Sequence, residues 1–241
     1  IRLVPIAVTI AAAALLCTGC PSKREGGKTT GGAPSGAKDP AKTAAAASAT
    51  AAPKAAAKMG TGIIMATVKF SGKAPEMKVP KKRKEAELCK DKAVAYNAVV
   101  VKDGKLQDVF VGIAPKQLGE YEPSAAKPGA LDQVDCMYTP RIQGVLAGGS
   151  ITIKNSDATL HNVNAGFGTK TLFNTAQPKG APDLKKEDFE DPGVYRFRCD
   201  VHSWMRSFVV VSDNPFYGTS GVDGTVKIEK VVLDKLRDNY N

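Results

Sequence analysis

Tyr195-Arg196-Phe197-Arg198-Cys199-Asp200-Val201-His202-Ser203-Trp204-Met205 decides how this chain is read. Its first residues alternate aromatic and basic side chains, the period-two pattern of a strand with one face buried. Its second half sets a thiol, an imidazole and a thioether at Cys-x2-His-x2-Met spacing, and the apolar run Phe208 to Val211 follows. Three metal-capable groups therefore lie on one short loop between two strands, a loop tight enough to converge on a single ion.

Outward from that loop, the apolar residues from Ile63 onward are β-branched or aromatic and come in short runs parted by Gly, Pro, Asn and Asp. These are strand signals. They predict strands near Ile63 to Phe70, Tyr96 to Val101, Leu106 to Ile113, Gln133 to Tyr138, Ile142 to Leu146 and Ser150 to Lys154. Three more are expected near Val194 to Cys199, Ser207 to Ser212 and Thr225 to Val232. Asp103-Gly104 marks a hairpin and Gly148-Gly149 another turn, because glycine accepts positive φ. With only a helical turn expected around Glu85 to Cys89, the fold class is all-β, an antiparallel sandwich or barrel.

The whole chain has 2 histidines. One is in the loop; the other, His161, follows the strand and turn Ile151 to Leu160 and precedes Asn162 and Val163. Two imidazoles and a thiolate in a plane, with a weak axial thioether, are the ligand set of an electron-transfer copper site. The soft sulfurs favour Cu(I) and the imidazoles accept Cu(II), so a geometry tolerable to both states needs little rearrangement when an electron moves. His161, Cys199, His202 and Met205 are the candidate ligands of one mononuclear type 1 copper ion. Each residue alone also has a structural reading, since Met and Cys are common core fillers.

At these residues the sequence resembles the cupredoxins, and the Cys-x2-His-x2-Met spacing is that of amicyanin-like members; plastocyanin-like members have a longer gap before Met. The resemblance covers roughly residues 60 to 212 and implies a Greek-key β-sandwich. It also implies that Asn162 ties the two ligand loops together by hydrogen bonds, which makes it a candidate outer partner of the site. Asp200-Val201 stands where relatives often have Ser or Thr followed by Pro, so Asp200 either acts electrostatically on the thiolate or points into solvent. Trp204 is either core or an exposed docking patch beside the metal.

Residues 1 to 59 carry 8 Lys+Arg against 2 Asp+Glu, and residues 60 to 241 carry 26 against 22, so most of the net +10 is N-terminal. A nucleic-acid binder concentrates its positive charge on the folded domain, and the one dense run, Lys81 to Lys84, is followed by Glu85 and Glu87. No nucleic-acid partner is expected. Arg2, the apolar stretch Leu3 to Leu16 and the small residues before Cys20 read as a signal peptide over 1–19, too short to span a bilayer. Gly19-Cys20 resembles a bacterial lipobox, in which Cys20 becomes the lipidated first residue; Cys17 stands where that pattern usually has Leu. Plain signal cleavage is the alternative.

Residues 21 to 58 hold 13 Ala, 6 Lys, 5 Gly and 4 Pro with no aromatic and no Val, Ile or Leu, too little apolar area to offset ordering. Residues 20–59 are therefore expected to be a disordered, lipid-anchored linker, with an end-to-end distance of about 35 Å for a flexible coil. The remaining cysteines, Cys89 and Cys136, are expected to pair in an oxidising compartment, the alternative being two buried thiols. Residues 213–241 read as a short C-terminal β extension resembling the opening of a carboxypeptidase-regulatory-like module, and are expected to pack on the copper domain, residues 60–212.

The function expected is a single-electron carrier, exported, periplasmic and membrane-tethered, serving redox proteins of the cytochrome, dehydrogenase or oxidase class. Copper delivery or sequestration is the alternative. An enzyme is not expected: a substrate-binding copper needs further imidazoles, and a dinuclear purple centre needs a second cysteine in the loop.

Overall fold

A computed structural model describes residues 60–81, 87–90, 98–118, 121 and 127–232. The signal peptide, the Cys20 lipidation site and the linker expected over 1–59 lie outside the described residues, as do Glu85 and Ala86 of the turn expected at Glu85 to Cys89 and Tyr96 and Asn97 of the strand expected from Tyr96; of that strand's described residues only Val101 is in a strand.

In chain order the strands are β1 (Gly62–Thr67), β2 (Val101–Lys102), β3 (Lys105–Leu106), β4 (Phe110–Gly112), β5 (Gly129–Val134), β6 (Met137–Thr139), β7 (Ile142–Leu146) and β8 (Gly149–Asn155). They continue as β9 (His161–Phe167), β10 (Lys170–Gln177), β11 (Leu184–Phe189), β12 (Gly193–Arg198), β13 (Arg206–Ser212), β14 (Tyr217–Thr219) and β15 (Thr225–Val231). A five-stranded sheet in the order β10-β9-β12-β13-β7 faces a four-stranded sheet in the order β11-β8-β5-β6. The chain crosses from one sheet to the other between β6 and β7, β7 and β8, and β8 and β9, and again on either side of β11. The fold is all-β, as the strand pattern indicates, and is the Greek-key sandwich that the resemblance implies.

Two pairings are parallel rather than antiparallel: β13 with β7 and β5 with β8. Both join strands whose connection runs through the opposite sheet, where no tight hairpin can dictate an antiparallel return. Between the sheets lie Val163 and Ala165 of β9, Tyr195 and Phe197 of β12, Val209 and Val211 of β13, facing Ile151 and Ile153 of β8, Leu131 of β5 and Phe189 of β11. These are alternate residues of their strands, as one buried sheet face requires. The Phe189 ring packs edge-on to Tyr195 at 5.4 Å and stacks on Phe197 at 6.1 Å. Across the layers, Gln133 donates its side-chain N–H to Gln177 Oε1 at 2.6 Å, and both residues are fully buried.

The stretch Gln133 to Tyr138, read as one strand, is a hairpin: β5 and β6 pair through Val134 and Met137 around Asp135 and Cys136. Both turn residues have φ near 54°, the left-handed region a two-residue type I′ turn demands. Neither Gly nor Asn marks it, which is why the sequence pattern ran through. Cys136 is joined to Cys89 by a disulfide across 47 residues.

Strands from the first part of the described residues meet strands that follow residue 212. β1 pairs antiparallel with β15, and β4 with β14. Phe216, Val226, Ile228 and Val231 form a second buried cluster with Ile64, Ala66, Val68, Val111 and Ile113 packed on it. Strand signals alone do not say which sheet a strand joins, and these strands have the same apolar alternation as those of the sandwich. The cluster abuts the sandwich at β7, where a Cβ on Gly144 would lie 2.3 Å from the Tyr217 ring and 2.8 Å from that of Phe110. Glycine is what lets the two rings reach the sheet.

Candidate metal centre

Strand periodicity carries the loop residues to one end of the sandwich. On β12 the inward side chains are Tyr195 and Phe197, and the next in that alternation is Cys199. On β9 they are His161, Val163 and Ala165. Because β12 and β9 run antiparallel with Arg198 opposite Asn164, the last residue of one strand and the first of the other fall at the same end. The loop from Cys199 to Met205 is closed by backbone bonds, Cys199 N–H to the Met205 carbonyl at 3.2 Å and Met205 N–H to the His202 carbonyl at 2.9 Å.

His161 Nδ1 and His202 Nδ1 face one another at 2.9 Å, and Cys199 Sγ lies 3.8 Å from His202 Nδ1. Ligand atoms of all three residues fall within 4.8 Å of one another. An ion held about 2.3 Å from sulfur and about 2.0 Å from nitrogen in a trigonal plane would separate those two atoms by about 3.7 Å. The sulfur–imidazole edge matches that spacing, and the imidazole–imidazole edge is tighter. His161 and Met205 are fully buried and Cys199 nearly so, while His202 keeps 8% exposure. A soft sulfur, two imidazole nitrogens and exclusion of bulk water suit a thiophilic transition metal.

The donors are tuned by their surroundings. Burial pushes the Cys199 thiol up, and the backbone N–H groups of His202 at 3.3 Å and Asn162 at 3.4 Å work against that by donating to Sγ. A buried thiol in that position ionises when a cation shares the site, so metal binding would release its proton. Burial likewise lowers the basicity of His161, opposed by the Asp157 carboxylate, and leaves a neutral imidazole as donor.

Asn162 spans the two ligand loops. Its Oδ1 accepts the Asp200 backbone N–H at 3.0 Å, and its own N–H bonds the Cys199 sulfur. Its carbonyl accepts the hydroxyl of buried Tyr138. Asp200 does not point freely into solvent: its carboxylate accepts from Asn164 at 2.9 Å and Asn174 at 3.1 Å and pairs with Arg198 at 3.1 Å. Trp204 is core rather than an exposed patch, at 3% exposure, with Nε1–H donating to the Cys136 carbonyl at 2.9 Å and its ring 5.1 Å from that of His202.

Sequence reasoning missed Asp157, whose Oδ2 accepts from His161 Nε2 at 2.8 Å. A carboxylate four residues before a histidine in a Ser/Asp/Thr turn was the available signal. It also missed Asn155, which binds the carbonyls of Thr159 at 2.9 Å and Gln177 at 2.8 Å and so fixes the loop that presents Asp157. Cys136, Asp157 and His161 also lie close together, but the Cys136 sulfur is spent in the disulfide.

Fold and site together define a class: a two-sheet β-sandwich with a buried His/Cys/His cluster at one end. No family model matches the chain, and no curated protein matches it. Among solved structures it is similar to a purple cupredoxin from Nitrosopumilus maritimus, at 24% identity over 35% of this chain and 99% of the other, with a TM-score of 0.31. It is similar to a reduced amicyanin variant at 31% identity over 34% of this chain and 80% of the other, with a TM-score of 0.27. It is also similar to a copper-containing nitrite reductase from Thermus scotoductus at 18% identity, over 42% of this chain and 25% of the reductase, with a TM-score of 0.32.

Proposed function

We propose that the chain is a cupredoxin, a mononuclear type 1 copper protein that carries single electrons. The observation that carries this reading is the convergence of His161, Cys199 and His202 within 4.8 Å at a buried end of the sandwich. These three residues would hold the ion, with the buried Met205 thioether as a further donor, and copper held there would supply one-electron redox chemistry. Two backbone N–H groups stabilise negative charge on the Cys199 sulfur, and Asn162 and the closed loop hold the donors in place whether or not an electron is present. Burial keeps solvent from reorganising around the site, and His202, with its small exposed edge, is the natural point of electron entry.

The chain's 2 histidines both belong to this cluster, which favours a carrier over an enzyme with a second, substrate-binding copper. In this reading the carrier is exported, tethered to a membrane through Cys20, and exchanges electrons with redox proteins by means of the 20–59 linker. Copper delivery is the competing use of the same ligands. Voltammetry of the copper-loaded protein separates the two: a reversible one-electron wave, with copper retained against a competing chelator for hours, is expected of the carrier. Irreversible reduction with rapid transfer of copper to the chelator would instead favour delivery.

A further inference from the structure

The Asp157 carboxylate sits between a copper-ligand candidate and the disulfide. One oxygen, Oδ1, accepts the backbone N–H of Asp135 at 2.9 Å. The other, Oδ2, accepts the N–H of Cys136 at 2.9 Å and faces His161 Nε2 at 2.8 Å. Its own backbone N–H donates to Asn155 Oδ1 at 3.1 Å, which fixes the loop from within. Only 14% of its side chain is exposed.

The turn on the other side of Asp157 has an unfavourable backbone. Two successive non-glycine residues, Asp135 and Cys136, occupy the left-handed region, where the Cβ of an L-residue crowds the carbonyl oxygen. That conformation aims both N–H groups the same way, a concavity that suits an anion, and the Asp157 carboxylate occupies it. The Cys89–Cys136 bond ties the same turn to a segment 47 residues earlier in the chain. Cys136 meets the second histidine as well: its carbonyl accepts from Trp204, whose ring packs against that of His202. One turn residue thus touches the outer partners of both imidazoles.

We propose that Asp157 is a positioning residue through which the disulfide-bearing turn Asp135-Cys136 orients His161 and biases the metal site toward Cu(II). This rests on the copper reading above. The carboxylate takes the His161 Nε2–H, which fixes the tautomer, leaves the Nδ1 lone pair for the ion and raises its donor strength. It also sets a negative charge one imidazole away from the metal in a dry environment, where the higher-valent ion gains more than the lower. The disulfide enters by holding the N–H pair that anchors the carboxylate, so opening it relaxes the orientation of His161.

The test is Asp157→Asn, Asp157→Glu and the double variant Cys89→Ser/Cys136→Ser in the full protein, with Cu(II) and Co(II) affinity, reduction potential and the copper EPR spectrum as readouts. Loss of an outer partner of a ligating histidine costs about 10–100-fold in metal affinity. If Cu(I) binding is unaffected, the Asp157→Asn potential rises by about 60–120 mV, at 59 mV per tenfold for one electron. Asp157→Glu, which keeps the charge, is expected to recover part of that shift. The disulfide double variant is expected to move potential and EPR in the same direction by less, and to shrink the effect of Asp157→Asn in its background.

Unchanged affinity and potential in Asp157→Asn overturn the proposal. Additive effects of the two changes overturn its disulfide half. Far-UV circular dichroism shows whether a variant has folded, and the Asp157→Glu comparison carries the test if Asp157→Asn does not fold. A wild-type protein with no thiolate-to-copper band fails the copper reading itself, whereas a blue wild type with an indifferent Asp157→Asn fails this inference alone.

Discussion

Cys199→Ala is expected to abolish both the intense thiolate-to-copper absorption and the reversible one-electron chemistry while leaving the sandwich folded. The sulfur is the one donor whose orbital mixing with copper gives strong visible colour, and among the described residues it is the sole unpaired thiol. Removing a small buried side chain at the end of β12 takes away little apolar area, so far-UV circular dichroism should be preserved. Copper affinity should fall by more than the about 10–100-fold that follows loss of an outer partner, because a direct ligand is gone. Titration with Cu(II) followed by visible and EPR spectroscopy checks this. A variant that stays intensely coloured would mean that the ion is held elsewhere.

Phe197→Ala is expected to give the largest loss of stability, about 3–5 kcal/mol, the usual cost of truncating a buried aromatic. Phe197 is 1% exposed, packs edge-on to Phe173 at 6.2 Å and stacks on Phe189 at 6.1 Å, and so joins the two sheets. Domains of ordinary stability hold about 5–15 kcal/mol in total, so the variant would lose a large part of its margin. It lies two residues before Cys199 on the same inward face, and the cavity should also slacken the metal end. Urea unfolding should show a lower midpoint at unchanged slope. A midpoint close to that of the wild type would mean that the sheets are not held together there.

The strands legible in the sequence were those with apolar alternation on a half-buried face: β7, β8, β12, β13 and β15 fall within a residue or so of where the pattern puts them. Those it missed have physical reasons for looking polar. β11 reads Leu-Lys-Lys-Glu-Asp-Phe and is an edge strand of its sheet, and β10, also an edge, mixes Thr, Asn and Lys with its apolar residues. Edge strands carry charge because it discourages pairing with other chains. β9 begins with the site itself, and His161, Asn162 and Asn164 mask its strand character.

The site followed a similar division. Cys199, His202 and Met205 were legible because one short loop carries them, and His161 because the chain has so few histidines. Tyr138 and the Asn164–Asn174–Asp200 cluster were not, because their partners lie 12 to 36 residues away and only the folded sheets bring them together; Asp157 is four residues from His161, but the turn residues that anchor its carboxylate, Asp135 and Cys136, are 22 and 21 residues away. The pairing of Cys89 with Cys136 was anticipated from compartment and count, but its contact with the metal end was not. That contact depends on a left-handed Asp135-Cys136 turn with no glycine to announce it.

The central claim is that His161, Cys199, His202 and Met205 hold one type 1 copper ion. A visible absorption spectrum of the purified protein after Cu(II) loading, taken with a copper assay on the same sample, tests it most directly. One copper per chain with an intense thiolate-to-copper band is the result expected; a stoichiometric but colourless Cu(II) complex, or no retained copper, would contradict it.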